Sequence, residues 1–111
     1  MIKKNTMIYK VKAKYIKEKG SEFYGKLNDG SILNQKPDGH EIVASMKRAK
    51  ITQPGIIEWF EMCFCSTPLN HERATVYDHY LYDINTKVVD DYGDIEGESF
   101  WSFLNSQSEM I

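Results

Sequence analysis

The first regular pattern in the chain is a strict alternation of apolar and lysine side chains over residues 7–16. A repeat of two residues is typical of a strand with one buried side and one side facing solvent. Lysines on the outer side also discourage such a strand from pairing with another molecule. The pattern therefore predicts a half-buried strand. Its inner side holds Tyr9, Val11, Ala13 and Tyr15, and its outer side holds Lys10, Lys12 and Lys14.

Two segments with helical spacing follow this strand. Residues 21–28 carry apolar side chains at intervals of three and four, and the Asn-Asp-Gly sequence at 28–30 ends the segment. Residues 40–50 predict a second amphipathic helix, with Asp38 placed to cap its first turn. The inward-facing positions are Phe23, Tyr24 and Leu27 in the first helix, and Ile42, Val43, Met46 and Ala49 in the second.

Strand formers return in the second half of the chain. Residues 56–66 and 72–84 predict two strands, and the short connection around Pro68-Leu69-Asn70 makes them an antiparallel hairpin. A short strand at Val88-Val89, an acidic loop and a helix over residues 98–107 complete the order. That last helix carries Phe100, Trp101, Phe103 and Leu104 at helical spacing.

This order predicts an α+β fold in which one antiparallel sheet has helices packed on one face. The familiar solutions are the ferredoxin-like split βαβ arrangement and the dimeric α+β barrel. We predict a flexible N-terminal lead over residues 1–6, a single domain over 7–106, and a frayed C-terminus over 107–111. The length of 111 residues suits one domain.

The strand over residues 56–66 is apolar on both sides, which predicts self-association. Helices can cover only one of its faces, and exposed apolar patches usually mark an interface. We therefore expect a homodimer that packs sheet against sheet. If the C-terminal segment covered the second face, a monomer would suffice. The side chains on the two faces are Ile57, Trp59, Glu61, Cys63 and Cys65, and Glu58, Phe60, Met62, Phe64 and Ser66.

The net charge of −2 is divided unevenly along the chain. Residues 1–50 hold eleven lysines and one arginine against five acids, whereas residues 51–111 hold one lysine and one arginine against eleven acids. Two halves that fold onto each other would intersperse these charges, and a nucleic-acid binder usually has a basic excess over its whole domain. Nucleic acid is therefore not an expected partner. A membrane is not expected either, because no apolar run approaches about 20 residues.

The two cysteines are the first candidates for chemistry. On a strand, Cys63 and Cys65 would share a face about 6.7 Å apart, and with His71 or His79 they could bind a metal tetrahedrally. The spacing matches no recognised zinc motif, and free cysteines are among the most buried residue types. We therefore expect two thiols in a reducing cytoplasm, and neither a metal nor a cofactor.

The predicted hairpin also brings polar side chains onto one mostly apolar face, as in a small-molecule site. Its register places Glu61 near Tyr77, Trp59 near His79, and Cys63 near Thr75. A carboxylate near an imidazole suits general acid–base chemistry, although a cross-strand network that satisfies buried polar groups would use the same residues. The catalytic candidates are His79 and Glu61, and the ligand-binding candidates are Trp59, Cys63, Arg73 and Tyr77.

Two stretches, FYGKLNDGSILNQKPDGHEIVASMKRA and CFCSTPLNHERATVYDHYLYDI, resemble a family of small conserved cyanobacterial-type proteins without an assigned activity. The resemblance covers roughly residues 7–104. It implies a cytoplasmic protein whose natural start corresponds to Met7, and it carries no catalytic residues to transfer.

The leading interpretation is a small cytoplasmic homodimer that binds a small molecule or serves as a regulatory module. The alternative is a dimeric-barrel-type enzyme in which His79 and Glu61 transfer protons on a small organic substrate. A third interpretation is an interaction subunit that uses its basic helix or its acidic tail.

Overall fold

The computed structural model describes residues 7–63 and 69–109, so the N-terminal lead and Cys65 lie outside the described residues. Within these residues the fold is α+β, with helices and an antiparallel sheet of order β4-β1-β3-β2-β5. The strands are β1 (Met7–Tyr15), β2 (Lys50–Gln53), β3 (Ile56–Cys63), β4 (Leu81–Val89) and β5 (Glu98–Ser99). The helices are α1 (Gly20–Asn28), α2 (Gly39–Arg48), α3 (residues 70–80) and α4 (Phe100–Glu109).

The alternation in the first strand is confirmed. Tyr9, Val11 and Ala13 are at most 4% exposed and join one hydrophobic core with the apolar sides of all four helices. β1 is an interior strand of the sheet, paired with β3 on one side and β4 on the other. Its lysines therefore occupy the sheet face opposite the core, because successive side chains of a strand point to opposite faces.

Both helices predicted in the first half are present, but the predicted cap of α2 is wrong. Asp38 directly precedes α2, yet its carboxylate makes no capping hydrogen bond. It lies instead 2.7 Å from Nδ1 of His71 and accepts a hydrogen bond of 3.2 Å from Gln35. The two carboxylate oxygens are thus directed at these side chains rather than at the backbone N–H groups of the first turn. Asp38 therefore ties the start of α2 to the start of α3.

The strand predicted over residues 72–84 is wrong for residues 72–80 and confirmed only for its last four residues. Residues 70–80 are helical, with a π-helical stretch at Arg73–Tyr77, and a strand begins only at Leu81. The alternation of strand formers in this segment hides a helical pattern. Its buried positions follow intervals of three, four and one, which one side of a helix can bury and one side of a strand cannot. These positions are Leu69, Glu72, Val76, Tyr77 and Tyr80.

The predicted hairpin is consequently absent. β3 pairs with β1 and with the short strand β2, which the sequence did not predict. β4 pairs with β1 instead, and the predicted Val88-Val89 strand is the end of β4. The register of β4 on β1 shifts between Lys12 and Lys14, where Asp83 adopts a φ of 52°. This shift is a β-bulge in β4, and bulges bend a strand and re-aim its side chains.

The sheet face opposite the helices is covered only in part. Phe60 and Met62 of β3 lie on this face and are half-buried. The acidic loop that follows β4 crosses it, and a Cβ added at Gly93 would lie 3.1 Å from Cζ of Phe60. The ring of Tyr92 lies 6.2 Å from that of Phe60. A loop thus supplies some of the cover that the sequence assigned to a second protomer.

The C-terminal helix α4 continues to Glu109, past the predicted domain end at residue 106. Nε2 of Gln107 donates a 2.9 Å hydrogen bond to the carbonyl oxygen of Lys17, which attaches the last turn to the short 3-10 turn that precedes α1. None of the helices in the described residues combines the length and the apolar character needed to cross a membrane.

Candidate functional site

A fully buried carboxyl group, that of Glu61, lies at the centre of the predicted site. Its Oε1 accepts hydrogen bonds of 2.7 Å from Nε1 of Trp59 and 2.7 Å from Oη of Tyr77. The period of β3 places Trp59 and Glu61 on the same face, and α3 brings Tyr77 against them. The rings of Trp59 and Tyr77 meet edge to face with centroids 5.4 Å apart. The predicted proximity of Glu61 and Tyr77 is therefore confirmed, although a helix provides it.

The second carboxyl oxygen of Glu61, Oε2, is buried and has no hydrogen-bond partner among the described residues. The pKa of Glu61 is raised from 4.5 to about 8, chiefly by burial. The hydrogen bonds from Tyr77 and Trp59 oppose this rise, and the charges of Glu72 and Glu41 contribute to it. Because a charge without a partner is costly inside a protein, this carboxyl group is mostly protonated near neutral pH. Its proton belongs on Oε2, since Oε1 already accepts two hydrogen bonds.

A second buried acid, Glu72, extends this cluster. The Sγ of Cys63 lies 3.8 Å from Oε1 of Glu72, and both side chains are at most 1% exposed. The pKa of Tyr77 lies well above its ordinary value. Burial is the main cause, and the charge of Glu61 is the second. Glu72 is missing from the candidates found in the sequence. Its helical spacing with Val76 and Tyr80 was the pattern that could have identified it as buried.

The cluster is filled rather than open. Trp59, Glu61, Cys63 and Tyr77 are at most 1% exposed, so no ligand can reach their polar atoms without a rearrangement. Trp59 borders a cavity of about 270 Å³, which lies under the loop carrying Tyr92. The enclosed polar network is therefore the arrangement that this geometry favours for these four residues, and it joins β3 to α3.

His79 is not part of this cluster. It lies two residues after Tyr77, and two residues turn an α-helix by about 200°, so its side chain is exposed when that of Tyr77 is buried. The predicted proximity of Trp59 and His79 is therefore wrong. His79 borders a cavity of about 330 Å³ between α1 and α3, together with Glu22 and Tyr80.

Thr75 is also displaced from its predicted neighbour Cys63. Its hydroxyl group donates a 2.8 Å hydrogen bond to the carbonyl oxygen of His71 and accepts one of 2.8 Å from Nε2 of Gln35. Thr75 therefore helps to hold α3 against the loop before α2.

Arg73 borders a third cavity, which lies at the bulge between β1 and β4. The volume of this cavity, the bulge cleft, is about 570 Å³, within the range of small-molecule sites. Residues of both β1 and β4 around the register shift line this cavity, and three of its lining side chains are cationic. The lining residues are Lys12, Ala13, Lys14, Ile56, Arg73, Asp83, Ile84 and Asn85.

The bulge cleft carries an excess of positive charge. Asp83 is the one acid among its described lining residues, and it lies 3.2 Å from Nζ of Lys14. Nε of Arg73 donates a 3.3 Å hydrogen bond to Asp78, and Lys12 has no ion pair within residues 7–63 and 69–109. The two ion pairs are solvent-exposed, and such pairs contribute only about 0–1 kcal/mol. An anionic ligand can therefore compete for these cations.

The lysines of this cleft are absent from the candidates found in the sequence. Lys12 and Lys14 were interpreted there as a solvent-facing row, and nothing in the local pattern links them to Arg73. Chain topology creates this link, because β1 and the bulge of β4 must pair before the cleft exists.

The described part of the chain contains no group of three or more histidine, cysteine, aspartate or glutamate side chains that could hold a metal ion. Cys63 is buried with its Sγ near Oε1 of Glu72, and its predicted metal partner Cys65 lies outside the described residues. His71 contacts Asp38 instead.

Comparison of the chain with protein-family models, with curated proteins and with solved structures finds no match. A functional assignment must therefore come from the geometry of the chain itself.

Proposed function

We propose that this protein is a small-molecule-binding or regulatory module whose ligand is an anion held in the bulge cleft. The observation that carries the proposal is the convergence of Lys12, Lys14 and Arg73 on one cavity that contains a single acid. A site with both lysine and arginine side chains suits carboxylates and phosphates. Arginine can bind two oxygens of such an anion at once, and lysine supplies a compact positive charge.

In this proposal the candidates found in the sequence divide into two groups. Arg73 keeps its predicted ligand-binding role. Trp59, Cys63 and Tyr77 hold the framework behind the cleft, because they attach α3, which carries Arg73, to β3. A proton transfer shared by His79 and Glu61 is not supported, since Glu61 is enclosed and His79 faces solvent beside another cavity.

We also propose a ferredoxin-like arrangement for the domain, formed by β1 to β4 with α2 and α3 as crossovers. The order β4-β1-β3-β2 with antiparallel neighbours supports it, because two split βαβ units interlock in this order. β5 and α4 are then additions at the β2 edge. The cytoplasmic location and the homodimer remain predictions from the sequence.

The proposed function can be tested by titrating the protein with inorganic pyrophosphate and following backbone amide signals by NMR. We expect the largest changes at residues 12–14 and 83–85, because these two segments line the cleft. Arg73→Ala and Lys12→Ala should each weaken binding by about tenfold, as removal of a charge-assisted contact does. Added salt should weaken binding as well.

Lys47→Ala is the matched control. Lys47 is a cation on α2 whose Nζ lies 5.3 Å from the ring centroid of Trp101, and neither residue lines the cleft. Its removal lowers the net charge by the same amount as Lys12→Ala and should leave the affinity within about twofold. Equal losses in the Lys47 and Lys12 variants would refute a specific cleft, because only the overall charge would then matter.

A further inference from the structure

We infer that the anion bound in the bulge cleft is the phosphate of a nucleoside phosphate, whose base stacks on Tyr82. This inference rests on the proposed function and adds the ligand class to it. Tyr82 is 50% exposed, although it belongs to the strand that lines the cleft. The ring of Tyr82 is thus accessible to solvent beside a cationic cavity, where a planar group can stack on it.

Lys14 joins the ring of Tyr82 to the cleft. Its Nζ lies 5.9 Å from the centroid of Tyr82 and 3.2 Å from Oδ2 of Asp83, and Lys14 lines the cavity itself. Lys14 and Tyr82 are also direct partners in the pairing of β1 with β4. A planar group resting on Tyr82 would therefore have an attached anion within reach of Lys14. The combination of a stacking surface and a phosphate-binding charge is what a nucleotide requires.

Asp83 and Asn85 fit the sugar and base of such a ligand. An acid inside a cationic cavity weakens the binding of a simple anion, but its carboxylate can accept hydrogen bonds from sugar hydroxyl groups, as acids do in dinucleotide sites. The amide of Asn85 offers both donors and an acceptor. A site for a bare phosphate would not be expected to contain an acid. Asp83 therefore has a role in the cleft when the phosphate is attached to a sugar.

Two sources present this chemistry, a free mononucleotide and a single-stranded nucleic acid. The row of Lys10, Lys12 and Lys14 along β1 continues the positive charge away from the cleft. Lys10 approaches a second ring, with its Nζ 6.0 Å from the centroid of Phe60. A strand of nucleotides could follow this row, whereas a mononucleotide would use the cleft alone.

The experiment compares the affinities of AMP and ribose 5-phosphate for the intact protein, by calorimetry at low salt. The two ligands share the sugar and the phosphate and differ in the base. We expect AMP to bind on the order of tenfold more tightly, because each stacked base adds affinity of that order. Tyr82→Ala should abolish the difference and leave ribose 5-phosphate binding unchanged, while Tyr82→Phe should preserve it. The exposure of Tyr82 makes both variants compatible with folding.

A single-stranded oligonucleotide of eight thymidines identifies the source. If it binds more tightly than AMP, with a steep salt dependence that Lys10→Ala reduces, the ligand is a strand. If it binds no better than AMP, the ligand is a free nucleotide. Equal affinity for AMP and ribose 5-phosphate, unchanged by Tyr82→Ala, would overturn the inference and leave the anion cleft intact. If neither compound binds and pyrophosphate does not bind either, the proposed function fails as well.

Discussion

Glu61 illustrates how burial changes what one residue can do. An exposed glutamate at this position of β3 would be charged at neutral pH. Enclosure between β3 and α3 favours the protonated form, so the group acts as a neutral hydrogen-bonding element. Folding therefore takes up a proton at any pH between the ordinary pKa of 4.5 and the folded value of about 8.

This uptake predicts a pH-dependent stability. Since the folded pKa is the higher one, the stabilisation is fully present below pH 4.5 and is lost as the pH rises through about 8. The loss should approach roughly 1 kcal/mol per pH unit inside this window. Glu61→Gln keeps the acceptor oxygen for Trp59 and Tyr77 but cannot ionise, so its stability should be less sensitive to pH. Urea unfolding at pH 5, 6.5 and 8 measures the difference.

The control for this prediction is Glu58→Gln. Glu58 lies on the opposite face of β3, where Oε1 is 3.7 Å from Nζ of Lys10 and Oε2 accepts a 2.8 Å hydrogen bond from Thr52. Its variant should retain the pH dependence of the original protein. Identical pH profiles for the original protein and Glu61→Gln would show that Glu61 is ionised in the folded state.

At the scale of elements, α3 carries residues of both the buried cluster and the cleft. Tyr77 donates its hydrogen bond to Glu61, and Arg73, about one turn earlier on the helix, lines the cavity beside β4. Its π-helical stretch at Arg73–Tyr77 adds a residue to a turn, and such stretches are frequent at functional sites. Two sites on one helix imply that the packing of Tyr77 fixes the position of Arg73.

The helical state of α3 predicts the sign of a small change in stability. Ala74 is exposed, so its replacement tests backbone preference with little effect on packing. Ala74→Val should destabilise the protein by roughly 0.5 kcal/mol, because β-branched side chains lose freedom in a helix. In a strand the same change would stabilise it. Ala74→Gly should cost about 1 kcal/mol. A stabilised Val variant in denaturant titrations would contradict the helix.

At the scale of the whole molecule, folding determines how the uneven charge of the sequence is distributed over the surface. The lysines of β1 meet acids from the second half of the chain in two ion pairs, Lys10 with Glu58 and Lys14 with Asp83. The lysine row nevertheless remains on one face of the sheet. Apolar Met62 and Ile8 lie at the far end of this face from the bulge cleft, paired across β1 and β3. A dimer formed there would leave the cleft accessible.

The predicted homodimer can be tested by sedimentation equilibrium at micromolar concentration. A dimer should give about twice the chain mass of 12.9 kDa. Met62→Lys should shift the mass toward one chain, because a charge would enter the apolar interface. Val88→Lys should not, since Val88 is 54% exposed and pairs with Tyr9 on the helix-covered face. A single-chain mass for the original protein would contradict the predicted homodimer.

Local patterns in the sequence predicted the elements whose burial repeats with one clear period. The lysine alternation of β1, the apolar stripes of α1 and α2, and the aromatic spacing of α4 each specified their own structure. An α+β fold with an antiparallel sheet follows from these elements and their order. Glu61 and Tyr77 were correctly paired from the sequence, though through a hairpin that does not form.

Only the tertiary structure decided whether residues 70–80 were strand or helix, and therefore where the two sites lie. Threonine, valine and tyrosine favour strands, but Leu69, Glu72 and Tyr80 need one common buried side, and burial outweighs propensity. The cleft likewise depends on the pairing of β1 with β4, which brings Lys14 to Asp83 from 69 positions away in the sequence. A contact between distant segments leaves no periodic trace in either of them, which is why the sequence alone could not reveal it.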